Sequence, residues 1–210
     1  MRAINRRRCM GSSIPDEIIM TSQSNPSVMA ICYAQGWATH ADFMTKREAE
    51  AVTSFGIAFK NSQITTFDEL VYFTSLTRLD INAFQSSTVT WLRFPYLEHC
   101  GENSGANACV FLSCSSLNAV MFDKVTFIGG AYNYSAKNGI YTVITTDSVP
   151  TTNARWFYGT FYVLDSLVDT YKAASGWSGI ASRIKGLSSL ATDHPDCPWL
   201  NDLKNKGLIS

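Results

Sequence analysis

Two short apolar patterns alternate between Val52 and Pro95, and this self-similarity constrains the fold more than any local propensity does. The first pattern ends on Ala-Phe; it begins at Val52 and again at Leu76, a step of 24 residues (76 − 52). The second pattern opens on Ser and places Ile64 and Val89 a step of 25 residues apart (89 − 64). Steps of about 20–29 residues are typical of leucine-rich repeats. The sequence therefore predicts a stack of repeats.

Further copies extend the array toward residue 146. Leu117 and Ile140 continue the second pattern, and Val125 restores the first. A unit of two short strands and a turn cannot bury its own apolar row, whereas stacked units merge these rows into one core. The polar stretch Gly101–Ala108 interrupts the array, and we interpret it as an inserted loop.

Three segments carry a resemblance to a known family: VTSFGIAF, SSTVTWLRFP and SCSSLNAVMF, which begin at residues 52, 86 and 113. They resemble the repeats of BspA-type leucine-rich-repeat proteins of Bacteroides-like bacteria, and residues 163–190 resemble the helical end that closes such arrays. The resemblance implies an α+β fold, a short leucine-rich-repeat solenoid of stacked strands and turns with helical caps at both ends. It also implies surface-exposed binding or adhesion without a common enzymatic activity.

The expected organisation has five parts: a basic flexible leader at 1–24, a helical N-terminal cap at 25–53, leucine-rich repeats at 52–163, a helical C-terminal cap at 164–190 and a tail at 191–210. The tail contains Trp199, Leu200, Leu203 and Leu208 after two prolines that break helices. These apolar residues need a partner, which is either the flank of the same chain or a neighbouring subunit.

Helix signals in the N-terminal cap are local. Pro26 suits the first position of a helix, and Gly36 suits its end. Thr45 and Glu48 form a capping-box pattern that predicts the start of a second helix. The loop between the helices resembles a degenerate calcium loop in which only Asp42 is a plausible ligand. Since calcium takes about 6–8 oxygen ligands, no calcium site is expected.

Charge and hydropathy exclude several classes of partner. Lys+Arg and Asp+Glu both total 17, so no overall field favours nucleic acid, and no 18-residue apolar stretch predicts a membrane span. Arg6–Arg8 are not followed by the apolar run of a secretory signal. An Arg-rich leader before such repeats is similar to prophage-encoded proteins of these bacteria. We therefore expect a virion component, with a bacterial cell-surface adhesin as the alternative.

Signals for chemistry are sparse. Nucleotide-binding, zinc-protease and nucleophile-elbow motifs are absent, and no cofactor is expected. Cys114 stands where other copies have Ser, which predicts a buried core residue. A zinc site from His99, Cys100, Cys109 and Cys114 would lack a Cys-x-x-Cys element, so no metal site is expected. A hydrolase that uses His99 or His194 remains a remote alternative.

Residues between the core positions of the second-type strands are expected to point outward and to align from unit to unit. The expected binding face consists of Thr66, Asp68, Trp91, Arg93, Met121, Thr142 and Ile144. Trp, Arg and Met together are typical of the centre of an interface. In the alternative interpretation, the inserted loop Gly101–Ala108 covers Trp91.

Together these features predict a non-enzymatic binding or structural module. Its expected partner is a protein or a surface glycan, and assembly into a larger particle or a homo-oligomer is also expected.

Overall fold

The computed structural model describes residues 16–101, 109–129, 139–153 and 159–210. Within these residues, the strands form a parallel sheet of five strands, a parallel sheet of four strands and an antiparallel pair. The strands are β1 (Ile18–Thr21), β2 (Phe43–Thr45), β3 (Arg78–Leu79), β4 (Trp91–Phe94), β5 (His99–Cys100), β6 (Ala119–Phe122), β7 (Phe127–Ile128), β8 (Tyr141–Ile144), β9 (Thr151–Thr152), β10 (Thr160–Val163) and β11 (Ile184–Gly186).

The helices are short and lie mainly near the two ends of the chain. They are α1 (Pro26–Ala34), α2 (Lys46–Glu50), α3 (Val168–Ala173), α4 (Leu190–Asp193) and α5 (Leu200–Asn205), with 3-10 turns at Asp68–Tyr72, Asp165–Leu167, Ser178–Arg183 and Leu187–Ser189.

Strands of the two parallel sheets alternate along the chain from β3 to β10. The five-stranded sheet has the order β11-β10-β8-β6-β4, and the four-stranded sheet has the order β3-β5-β7-β9. Trp91 pairs with Ala119 and Ala119 pairs with Tyr141, so equivalent residues lie 28 and 22 positions apart (119 − 91 and 141 − 119). From β3 to β10, each connection between neighbouring strands of one sheet passes through a strand of the other sheet, whereas β10 and β11 are connected through α3 and 3-10 turns.

The predicted fold class is wrong. The strands form parallel sheets of five and four strands in an α/β arrangement, instead of an α+β leucine-rich-repeat solenoid with helical caps. The apolar pattern misled because parallel neighbours require connections of a dozen or more residues. Strands joined by connections of similar length therefore also place apolar residues at a regular step, and the period alone does not identify the repeat family.

The main core lies between the two parallel sheets and is rich in phenylalanine. Phe59 and Phe84 stack with ring centroids 5.2 Å apart, and Phe94 and Phe122 stack at 5.8 Å. These rings are buried, and each fully buried Phe stabilises the fold by about 1.5–3 kcal/mol. Cys114 is also buried, as predicted, and its thiol donates to the Phe84 carbonyl at 2.8 Å.

Both N-terminal helices begin where the sequence predicts. α1 has Pro26 at its first position, and Gly36 follows its end with a φ of 72° that favours glycine. The capping box of α2 is confirmed, because the Thr45 hydroxyl accepts from the Glu48 amide while the Glu48 carboxylate accepts from the Thr45 amide at 2.8 Å. Burial raises the pKa of Glu48, but hydrogen bonds from Thr39 and Thr45 outweigh it and lower the pKa to about 2.

Other predicted boundaries meet the structure only in part. Residues 1–15 of the expected leader and residues 102–108 of the expected insertion lie outside the described residues, whereas Ile18–Thr21 form β1, which pairs with β2. Within the expected helical C-terminal cap at 164–190, Ile184–Gly186 instead form β11 at the edge of the five-stranded sheet.

Candidate binding site

The register of the five-stranded sheet divides the expected binding face in two. Trp91 pairs with Ala119, and Arg93 pairs with Met121 and through it with Val143. These residues point away from the main core. Thr142 and Ile144 align with Val120 and Phe122 on the opposite face, and both are buried there. Placing Thr142 and Ile144 on the binding face was therefore wrong, because a shift of one residue along a strand moves a side chain to the other face.

The outer face of the five-stranded sheet is covered by the last part of the chain. We call residues 187–209 the C-terminal segment. It packs on the sheet in a second apolar cluster whose buried members are Ala119, Met121, Tyr141, Val143, Tyr162, Leu187, Leu190, Cys197, Trp199 and Leu203. The structure thus supplies a partner for the apolar residues of the tail from the same chain. Met121 is fully buried and does not belong to an open surface.

Trp91 lies at the boundary between this covered region and the exposed surface. Its ring is partly buried and meets the Trp199 ring edge to face, with centroids 6.1 Å apart and an interplanar angle of 89°. A second edge-to-face contact joins Trp91 to Tyr141 at 6.3 Å. Sequence reasoning left open whether an inserted loop covers Trp91. The residue observed against it is Trp199, whereas residues 102–108 of that loop lie outside the described residues.

Arg93 holds the C-terminal segment to the sheet through a group of four charges. Its guanidinium donates from Nε to Asp123 at 2.9 Å and forms an ion pair with Asp202 of α5 at 3.0 Å. Lys206 forms ion pairs with both carboxylates, at 3.1 Å each. We call Arg93, Asp123, Asp202 and Lys206 the charge cluster. Its formal charges sum to zero.

Both central members of the charge cluster are stabilised in their charged forms. Burial alone would lower the pKa of Arg93, but hydrogen bonds and the negative charges of Asp123 and Asp202 raise it overall. Burial alone would raise the pKa of Asp123, but hydrogen bonds and charges from Arg93 and Lys206 hold it below its usual value. Arg93 and Asp123 therefore both stay ionised at neutral pH.

Four of the seven predicted site residues line one pocket of about 330 Å³ at the β4 edge of the five-stranded sheet. Its lining consists of Thr66, Phe67, Asp68, Val71, Trp91, Arg93, Pro198 and Trp199. We call it the tryptophan pocket. The lining comes from the 3-10 turn at 68–72 with the two residues before it, from β4 and from the C-terminal segment. Val71 is 39% exposed on the rim.

Sequence reasoning missed the residues that complete this pocket. Val71, Pro198 and Trp199 are distant from β4 in sequence, and only the apolar content of the tail indicated that it packs somewhere. Arg93 has two acidic partners, Asp123 and Asp202, and neither of them belongs to a recognisable sequence motif. One signal was available, since Asp123 directly follows β6, the neighbour of the strand that carries Arg93.

The two histidines considered for catalysis lie in different environments. His194 stacks on Tyr141 with centroids 3.8 Å apart, and its removal from solvent lowers its pKa. The adjacent Asp193 accepts from the Tyr162 hydroxyl and from Lys185, at 2.8 Å in both cases. His99 lies beside Phe127 with centroids 5.7 Å apart, whereas Cys100 points into the core and burial raises its pKa. The structure does not bring His99 and Cys100 together as a dyad.

Within the part of the chain that the structure describes, no three His, Cys, Asp or Glu side chains gather closely enough to hold a metal ion. Cys32, Cys100, Cys109, Cys114 and Cys197 are free and buried. None of the helices in the same residues has the length and apolar character needed to cross a membrane.

Comparison with known proteins gives no family for the chain. Neither a scan of protein-family models nor a search of curated proteins finds a match. The resemblance to BspA-type proteins therefore stays a prediction from the sequence.

Proposed function

We propose that the protein is a non-enzymatic binding module that recognises a protein partner through the tryptophan pocket. The observation that carries this proposal is a pocket with two tryptophans and an exposed aliphatic rim, held in place by the charge cluster. Tryptophan and arginine are the residues that most often dominate the binding energy of protein interfaces. A volume of about 330 Å³ lies at the small end of ligand pockets and suits one or two side chains of a partner.

The pocket is also preorganised. Trp91 contacts the rings of Trp199 and Tyr141, and Arg93 forms ion pairs with two carboxylates. Because these side chains are already held in place, binding immobilises few additional side chains. Preorganisation raises affinity because less conformational entropy is lost on association.

A protein partner fits this geometry better than a surface glycan does. Sugar hydroxyls need several free donors and acceptors, whereas the guanidinium of Arg93 is already engaged by Asp123 and Asp202. Glycan binding is therefore an outcome of the experiment below and not part of the proposal.

The setting of this binding also remains a proposal. The leading setting is a phage particle and the alternative is the surface of a bacterium, and both rest on sequence resemblance. Capsid or tail genes beside this gene would support the first setting. A lipoprotein leader encoded upstream of Met1 would support the second. For hydrolysis that depends on His99 or His194, the described residues contain no His99–Cys100 dyad, and activity against a broad substrate panel would support this alternative.

The proposed function is tested by panning a random peptide library on the wild-type protein and on two variants. Val71→Asp places a charge on the rim of the tryptophan pocket, and Ile57→Asp is a matched control, since Ile57 is 60% exposed and does not line the pocket. We expect peptides that bind the wild type and Ile57→Asp equally and bind Val71→Asp at least tenfold more weakly.

Enrichment of no peptide, or peptides that bind all three proteins equally, would overturn the proposal. A glycan array run in parallel decides the remaining case. Glycans that depend on Val71, without any such peptide, would show that the pocket belongs to a glycan-binding protein.

A further inference from the structure

We infer that the tryptophan pocket accepts a cationic side chain, lysine or arginine, from the partner. This inference rests on the proposed function and names the chemistry of the group that enters the pocket. Three features of the lining carry it: a neutralised arginine, a carboxylate with no partner among the described residues, and two adjacent tryptophan rings.

The arginine of the pocket does not attract an anion. The charge cluster has two positive and two negative members at separations of 2.9–3.1 Å, so the field of Arg93 is cancelled at close range. An anionic ligand would have to displace Asp123 or Asp202, and breaking one partner out of a partly buried ion pair is costly.

The remaining charge of the pocket is negative. Asp68 lines the pocket from the exposed start of the 3-10 turn at 68–72, and none of the described residues forms a hydrogen bond or an ion pair with its carboxylate. The neighbouring Glu69 differs, because its carboxylate accepts from the Asn25 side chain at 3.0 Å. Among the described residues, Asp68 is therefore the pocket carboxylate left to pair with a ligand that enters.

The tryptophans favour a cation for an independent reason. Indole rings attract a cation placed over their faces, and tryptophan does so more strongly than tyrosine or phenylalanine. Lysine and arginine also have long aliphatic stems that cover apolar surface while the charged group stays near water. The stem would contact Val71 and Pro198 while the charged group lies between Trp91 and Asp68.

The inference is tested with small probes that share one alkyl chain and differ in charge: n-butylguanidinium, n-butanol and n-butyrate. Binding is followed by NMR through the indole N–H resonances of Trp91 and Trp199, which Trp→Phe variants assign. We expect n-butylguanidinium to bind about tenfold more tightly than n-butanol, and n-butyrate to bind most weakly.

Asp68→Asn is the decisive variant, and Asp169→Asn is its control. Both residues are exposed aspartates in the first turn of a helix, and only Asp68 lines the pocket. We expect Asp68→Asn to weaken the binding of n-butylguanidinium about threefold, because exposed ion pairs contribute modestly to affinity. The affinity for n-butanol should stay unchanged. Asp169→Asn should change neither.

Equal binding of the cationic and neutral probes, or an unchanged affinity in Asp68→Asn, would overturn the inference. Failure here is distinguishable from failure of the proposed function. Peptides that depend on Val71 but lack Lys and Arg would leave the binding module intact and remove only the cationic specificity. Cation binding without any peptide binding would instead contradict the proposal that the partner is a protein.

Discussion

The two parallel sheets differ in what lies on their outer faces. On the five-stranded sheet, Met121, Tyr141 and Val143 are buried beneath the C-terminal segment. On the four-stranded sheet, the outward row of Arg78, His99, Phe127 and Thr151 is exposed or partly exposed.

This difference is visible in the burial of successive residues along the strands of the five-stranded sheet. All four residues of β6 and of β8 are buried. In β4, which lies at the edge of the area covered by the C-terminal segment, partly buried and buried residues alternate. Alternation indicates a sheet with one open face, and continuous burial indicates cover on both faces. Because the C-terminal segment covers it, the outer face of the five-stranded sheet contributes to stability, and the tryptophan pocket lies at the margin of the covered area.

The largest expected effect comes from removing apolar volume beneath the cover. Met121→Ala should lower the free energy of unfolding by about 2–4 kcal/mol, because it leaves a cavity between β6 and the C-terminal segment. Arg78→Ala, on the outer face of the four-stranded sheet, should change it by less than about 0.5 kcal/mol. Urea unfolding of both variants measures the contrast, and similar values for the two would contradict the comparison.

An intermediate effect is expected from acid, through Asp123. Because its pKa is lower folded than unfolded, its ionised form contributes stability that is complete above the unfolded value of about 3.9. This contribution is lost as the pH falls below that value, through the folded pKa.

Asp123→Asn should lower the unfolding free energy at pH 7 by about 1–3 kcal/mol. Its stability should also fall less steeply than that of the wild type below about pH 4. Urea unfolding between pH 2 and pH 7 gives both quantities. Parallel pH profiles for the two proteins would show that the charge cluster does not link the cover to acid stability.

The smallest expected effect is at Lys206, whose side chain is 41% exposed. Lys206→Ala should lower the free energy of unfolding by about 0.2–1 kcal/mol. This loss should be smaller at high salt, because salt screens exposed ion pairs. Thermal unfolding at low and high salt checks this prediction. Lys204→Ala is a suitable control, since Lys204 is an exposed lysine of α5, two residues before Lys206, and lies outside the charge cluster.

Local signals in the sequence were reliable where the physics is local. Pro26 and the pair Thr45 and Glu48 placed two helix starts correctly, because a fixed φ and a capping hydrogen bond act within one turn. Trp91 and Arg93 were correctly placed on the outward face of β4, since alternation along a strand follows from its geometry.

Features that depend on distant contacts could not be predicted in the same way. Thr142 and Ile144 were assigned to the wrong face of β8. Every residue of β8 is buried, so the strand lacks the alternation of polar and apolar residues that would distinguish its two faces. The cover of the five-stranded sheet and the pairing of Arg93 with Asp202 join residues about a hundred positions apart. Apolar composition indicated that the tail needs a partner, but composition does not specify which surface provides it.

The position of the cover at the C-terminal side of the chain has a consequence for biosynthesis. β4, β6 and β8 leave the ribosome before residues 187–209 are made, and chains are synthesised at about 5–20 residues per second. During that interval of seconds the apolar outer face of the nascent sheet is exposed to water. A newly made chain therefore passes through a stage in which chaperones, or other nascent copies of itself, have access to a surface that the finished protein conceals.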